Sequence, residues 1–133
     1  MNAYLSSEVP TLLPIGGYDI DTLEGDIILN LSAGNAIFTG FGAEQELTFA
    51  GEIVYSDSKS VLTRRWNYRD AIRTQITENT KKIILMTEAP SGAVSNDLIN
   101  QTLNEMRIQI FNSCGGEIQT EILDVKESFE IEF

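Results

Sequence analysis

The segment DIILNLS, Asp26–Ser32, places Ile27, Leu29 and Leu31 on one side of the chain, the two-residue period of a strand. Ala33-Gly34-Asn35 closes it. Two short pieces follow, Ala36–Thr39 and Glu46–Phe49, broken by Gly40 and Gly42. Glu52–Ser56 and Val61–Trp66 flank Asp57-Ser58-Lys59-Ser60, which predicts a hairpin. Lys82–Thr87 (KIILMT) is a continuous apolar run of strand length, the pattern of a central strand. Gly16-Gly17, with Pro14 before it and Tyr18-Asp19 after it, predicts a turn whose backbone amides face outward.

The period changes once. Ile99, Leu103, Met106, Ile110 and Cys114 recur at helical spacing, so Ser95–Cys114 is the predicted long helix. Ser95 or Asn96 suits its N-cap, Asp97 the positive end of its dipole, and Gly115 its left-handed C-cap. Cys114 is expected as a buried thiol. Glu117–Leu123 and Ser128–Phe133 complete the strands, the latter alternating Phe129, Ile131 and Phe133 with Glu130 and Glu132. Roughly six to eight strands and one long helix give an α+β class, a mostly antiparallel sheet or sandwich with the helix near the C-terminus.

Composition narrows the chemistry. With 133 residues, 42% hydrophobic, the chain suits a single domain with a real core, written here as 1–133. A mean hydropathy of -0.07 argues against a membrane protein, and the N-terminal MNAYLSSEVPTLLP lacks the basic and apolar regions of a signal peptide. A lone cysteine has no internal disulfide partner, which fits a reducing cytoplasm. The chain has no histidine. That excludes histidine-based nucleophilic and acid–base machinery and the usual zinc and iron sites. No phosphate-binding glycine loop or metal-ligand spacing occurs, so no cofactor is expected.

Charge then singles out one region. Against 20 Asp+Glu the chain has 9 Lys+Arg, a net charge of -11. Within Asp57–Lys82, however, seven basic residues outnumber three acidic ones, and Arg64, Arg65, Trp66, Asn67, Arg69, Asp70, Arg73 and Thr74 stand almost side by side. Two readings of this island are open. The guanidinium groups bind a carboxylate or phosphate of a ligand while Trp66 or Tyr68 stacks on a ring. In the other, Asp70 and distant acids neutralise the arginines internally. Glu88, between an apolar strand and Pro90, suits a pocket rim as a base, or pairs with an arginine.

PIGGYDIDTLEGDI (14–27), GEIVYSDSKSVLTRRWNYRD (51–70), IRTQITENTKKIILMTEA (72–89) and SCGGE (113–117) occur in one order. Together they resemble the B3/B4 domain, the tRNA-editing module of the phenylalanyl-tRNA synthetase β subunit, and especially its free-standing relatives. The RRWNYRD…RT string resembles the free-standing branch; the synthetase has a glycine-rich segment there. The resemblance implies a three-layer α+β domain that binds the aminoacylated 3′ end of tRNA and hydrolyses a mischarged ester in trans. Positioned water and the tRNA's own ribose hydroxyls would do the chemistry, which needs no histidine. The implied site has Glu88 and Asn67 in catalytic roles. Arg64, Arg65, Trp66, Arg69, Asp70, Arg73 and Thr74 would bind substrate, with Gly16, Gly17, Tyr18 and Asp19 supplying a turn beside it.

Three departures qualify that expectation. The synthetase's pocket histidine falls at Gly16, its pocket asparagine near Leu5, and the glutamate that recognises a tyrosine hydroxyl near Met86. Tyrosine specificity is therefore not carried over. Free-standing relatives also have an N-terminal portion that precedes the matching segment, so a homodimer or companion chain is expected to cover an apolar surface near Leu5, Val9, Leu12 and Leu13. A non-catalytic module that binds the tRNA acceptor end or an amino-acid-like ligand is the competing functional reading.

Overall fold

The computed structural model describes residues 13–42, 44–90 and 92–123. They fall into two units, one reaching to Ala89 and the other beginning at Pro90. The first contains eight strands: β1 (Ile15–Asp19), β2 (Ile28–Ala33), β3 (Ile37–Thr39), β4 (Gln45–Leu47), β5 (Ala50–Ser56), β6 (Val61–Arg64), β7 (Arg69–Asp70) and β8 (Ile83–Thr87). The second contains the helix α1 (Asn96–Cys114). The class is α+β with antiparallel pairing throughout the described strands.

Strands β2-β5-β6-β7 form one sheet, while β1-β8 and β3-β4 form two-stranded ribbons. Opposed residues of an antiparallel pair share a face, and successive residues alternate. Leu29 opposes Tyr55, Leu31 opposes Ile53, and Tyr55 opposes Thr63, so these five share one face. Val54 and Arg64 oppose each other on the other face. A register shift after Tyr55 brings Leu62 to the same side as Thr63: Leu62 packs with Tyr18 and Tyr55, and Thr63 bonds the Tyr18 hydroxyl.

Each face has its own cover. The β1–β8 ribbon lays Tyr18, Ile84 and Met86 against Tyr55 and Leu62. The β3–β4 ribbon lays Phe38 against Val54, Val61 and Ala71. Burial of such side chains is worth about 1.5–3 kcal/mol each. The β1–β8 ribbon depends on Gly17, whose absent Cβ would lie 2.5 Å from a Leu85 methyl and 2.6 Å from the Ile84 carbonyl oxygen.

The hairpin, the short β3–β4 pieces and the helix caps agree with the pattern. Asp57 closes the hairpin by accepting from the Lys59 and Ser60 amides, both at 3.0 Å. Ser95 accepts from Leu98 N–H, and Gly115 ends α1 at φ 69°. Other expectations are corrected. Gly16-Gly17 lies inside β1, because the close approach of β8 requires glycine there, and is no turn. β8 is half-buried and pairs only with β1 among the described residues, so it is not a central strand. Residues 117–123 form no strand, and Cys114 is exposed. Leu29 and Leu31 are exposed, since neither ribbon covers that end of the sheet. Leu13 is buried, whereas Leu5, Val9, Leu12 and Ser128–Phe133 lie outside the described residues.

Arg64 ties these parts together. Its side chain is 2% exposed, and a guanidinium so deep needs carboxylates. Nε and Nη2 donate to Glu52 at 2.7 and 2.8 Å, and Nη1 donates to Glu46 on β4 at 2.7 Å. The Arg64 hydrogen bonds, opposed by burial, hold the Glu52 carboxyl at about 2 against its ordinary 4.5. Burial pushes Asp57 up, but the Arg73 fork and backbone amides outweigh it and leave that carboxyl at about 2.

Four outcomes are expected. Arg64→Met strands the buried Glu52 charge and costs about 3–5 kcal/mol in chemical denaturation, and adding Glu52→Leu restores most of it. Both lowered carboxyls contribute stability that is full above their ordinary values, 4.5 and 3.8, and is lost as pH falls towards about 2. Unfolding midpoints measured from pH 6 to pH 2 check this, with a smaller acid loss in the double variant. Gly17→Ala should destabilise by about 1–3 kcal/mol through overpacking. Gly16→Ala meets no atom within 4 Å among the described residues and should be neutral or stabilising by about 0.5–1 kcal/mol.

Candidate functional site

Where the β1–β8 ribbon meets the four-stranded sheet, five polar side chains sit among apolar ones. The Tyr18 hydroxyl lies 2.6 Å from Thr63 Oγ1, which donates to Asp70 Oδ1 at 2.6 Å. Beside them the Tyr55 hydroxyl donates to Glu88 Oε1 at 2.5 Å. Register explains the first chain: Thr63 on β6 directly opposes Asp70 on β7. Burial raises the Asp70 carboxyl, and the Thr63 hydrogen bond only partly opposes it. Burial likewise raises Glu88 against the opposing Tyr55 bond. Both tyrosine hydroxyls are pushed far up, first by burial and then by the carboxylates around them, so they remain proton donors.

One wall of this cluster is open. Gly16 and Tyr18 are two residues apart on β1 and share a face; Gly16 opposes Met86, and Tyr18 opposes Ile84. Glu88 continues the Ile84–Met86 alternation past the end of β8, as its bond to Tyr55 shows. Gly16, Met86 and Glu88 therefore line one side, and a Cβ at Gly16 would meet nothing within 4 Å among the described residues. The second oxygen of Glu88 has no hydrogen-bond partner among the described residues. The β1–β8 ladder includes Ile20 N–H donating to Lys82 O, so by alternation Gly16 N–H points into the ladder and Gly17 N–H away from β8.

The arginines lie elsewhere, and three of them are held by carboxylates distant in sequence. Arg64 takes Glu52 and Glu46; Arg69 donates to both Glu46 oxygens at 3.0 and 2.8 Å. The Arg69 hydrogen bonds come first among the causes that lower the Glu46 carboxyl. Arg73 reaches Asp57 at 2.7 and 2.8 Å, Ser60 Oγ and the Thr22 carbonyl. Asp70 pairs with none of them. Arg65 alone makes no ion pair among the described residues, and it lies over the rings of Phe49 and Tyr68, each at 5.9 Å.

Between β6 and β7 the chain runs through a tight turn. Arg65 and Trp66 both adopt left-handed backbone, φ 51° and 71°. Asn67 stands exposed in that turn, outside the Tyr55–Glu88 cluster and without a hydrogen bond to it. Asp19 accepts from Asp21 N–H and the Thr80 hydroxyl, which fixes the end of β1. Thr74 is buried in a short 3₁₀ turn. Thus Gly16, Tyr18, Asp70 and Glu88 come together, whereas Asn67 and the arginines do not join them. Tyr55 and Thr63 were missed. Their signal was the alternation of the β5–β6 hairpin, which sets both on one face.

Among the described residues no helix is long and apolar enough to cross a membrane, and no group of three acidic, histidine or cysteine side chains is placed to hold a metal. A search of curated proteins finds no match. A sequence model of the B3/4 domain matches residues 4–110. That span contains the sheet, both ribbons and the whole Gly16–Glu88 opening, so the chain belongs to the B3/4 domain family.

Proposed function

We propose that this protein binds the aminoacylated 3′ end of a tRNA at the Gly16–Met86–Glu88 opening and hydrolyses a mischarged ester there, acting in trans. The observation that carries the reading is Glu88: a half-buried carboxylate, raised by burial, held on one oxygen by Tyr55 and with no partner on the other among the described residues, beside the space over Gly16. Membership in a family related to the synthetase's tRNA-binding module supports the ligand class.

The chemistry follows from those groups. Glu88, fixed by Tyr55, accepts a proton from a water molecule as that water attacks the ester carbonyl carbon. The carbon–oxygen bond to the ribose then breaks, and the ribose oxygen takes the proton, releasing the amino acid and the free tRNA end. A carboxylate whose affinity for protons is raised is a better base than an ordinary one. Tyr55 and Thr63 orient the two carboxyls, and Tyr18 shields them from solvent.

Purified protein is tested against a panel of mischarged tRNAs. At least one should be deacylated above the spontaneous rate, and Glu88→Gln should lower that rate by about 10²- to 10⁴-fold. The base must be ionised, so the rate should rise with pH through a limb above the ordinary glutamate range, and Glu88→Gln should lack that limb. Gly16→Leu fills the opening and should raise KM while leaving the melting temperature unchanged. Saturable tRNA binding without turnover on any substrate would replace hydrolysis with the binding-module reading.

A further inference from the structure

The turn Arg64–Arg69 combines three properties. Its first is charge. Arg64, Arg65 and Arg69 form one cluster with Glu46 and Glu52, in which three guanidinium groups face two carboxylates. The surplus positive charge resides on Arg65, which is exposed and has no ion pair among the described residues. The second is aromatic exposure: Phe49 at 63%, Tyr68 at 70% and Trp66 at 39%. The third is backbone strain. Two successive non-glycine residues hold left-handed φ, at a cost of order 1–3 kcal/mol each.

These properties match one kind of ligand. An unpaired nucleotide offers a flat ring to stack and a phosphate to neutralise, which fits aromatic faces around an unpaired guanidinium. Trp66 N–H donates to the Ile53 carbonyl at 3.0 Å, which holds the turn against β5. We infer that Arg65, Phe49, Trp66 and Tyr68 form a stacking tip for an unpaired nucleotide of a single-stranded RNA end. The identity of the RNA rests on the proposed function; the stacking does not.

Trp66 is the only tryptophan of the chain, so its fluorescence reports this tip directly. Protein is titrated at low salt with a single-stranded ribonucleotide hexamer, an abasic backbone of equal length and a blunt RNA hairpin. The hexamer should quench saturably, and the other two should not. Tyr68→Ala and Phe49→Ala should each weaken hexamer binding about tenfold. Arg65→Asn, which tolerates the left-handed backbone, should reduce the salt slope by about 0.7, the loss of one phosphate contact. Melting temperatures verify that each variant folds. Equal quenching by the abasic backbone, or unchanged binding by Tyr68→Ala, would overturn the inference. Self-association that Tyr68→Ala abolishes, without any hexamer quench, would assign the tip to a second copy instead. A normal quench in a protein that deacylates no tRNA would uphold the tip and refute only the hydrolytic step.

Discussion

A guanidinium removed from water is tolerable only when carboxylates surround it, and Arg64 meets that requirement by drawing on two separate stretches of chain. Glu52 comes from its neighbour β5, and Glu46 from the β3–β4 ribbon on the face above. Satisfying one charge therefore fixes where the ribbon sits. Phe38 is then held over the guanidinium at 5.5 Å, and its ring closes the core formed by Val54, Val61 and Ala71. Hydrophobic burial supplies most of the energy, but it is non-directional. The bidentate fork supplies direction.

The same constraint shapes the chain beyond Arg64. Arg69 must return to share Glu46, and β7 must pair with β6 so that Asp70 meets Thr63. Only four residues separate Arg64 from Arg69, and the chain reverses within them through left-handed Arg65 and Trp66. One anchoring network thus sets two features at once: it delivers Asp70 to the buried polar cluster, and it pushes Arg65, Trp66 and Tyr68 outward. Strain at the turn is sustained because both ends are tied by ion pairs.

Much of this was legible locally, and the illegible part was mostly long-range. The hairpin could be read because Asp57 and its turn lie within four residues of their partners. The helix could be read because its caps are sequence-adjacent. The arginine partners could not, since Glu46, Glu52 and Asp57 stand 12 to 23 residues away and any acid of the chain was equally eligible. Gly16-Gly17 misled because paired glycines usually turn, whereas here the need is close approach to Leu85 and Ile84. Leu29 and Leu31 misled for a related reason: alternation fixes a shared face but does not say that anything covers it. Of the candidate site, the place between an apolar strand and Pro90 marked Glu88, the charge island held Asp70, and Tyr18 stood beside the glycine pair. Tyr55 and Thr63 required the register that places them opposite each other.

Charge places a further demand on any RNA-directed role, because a net charge of -11 repels a polyanion at a distance. Screening shortens that repulsion to about 8–10 Å at physiological salt, so contact is decided by local groups. Local charge is uneven. Glu88 and Asp70 present carboxyls on the Tyr55 face of the sheet, whereas Arg65, with no ion pair among the described residues, stands on the β6–β7 turn. An aminoacylated RNA end carries a cationic amino group at its tip and phosphates behind it. On the proposed reading the amino group suits the carboxyls and a phosphate suits Arg65, and the acidic remainder of the surface would disfavour RNA bound elsewhere.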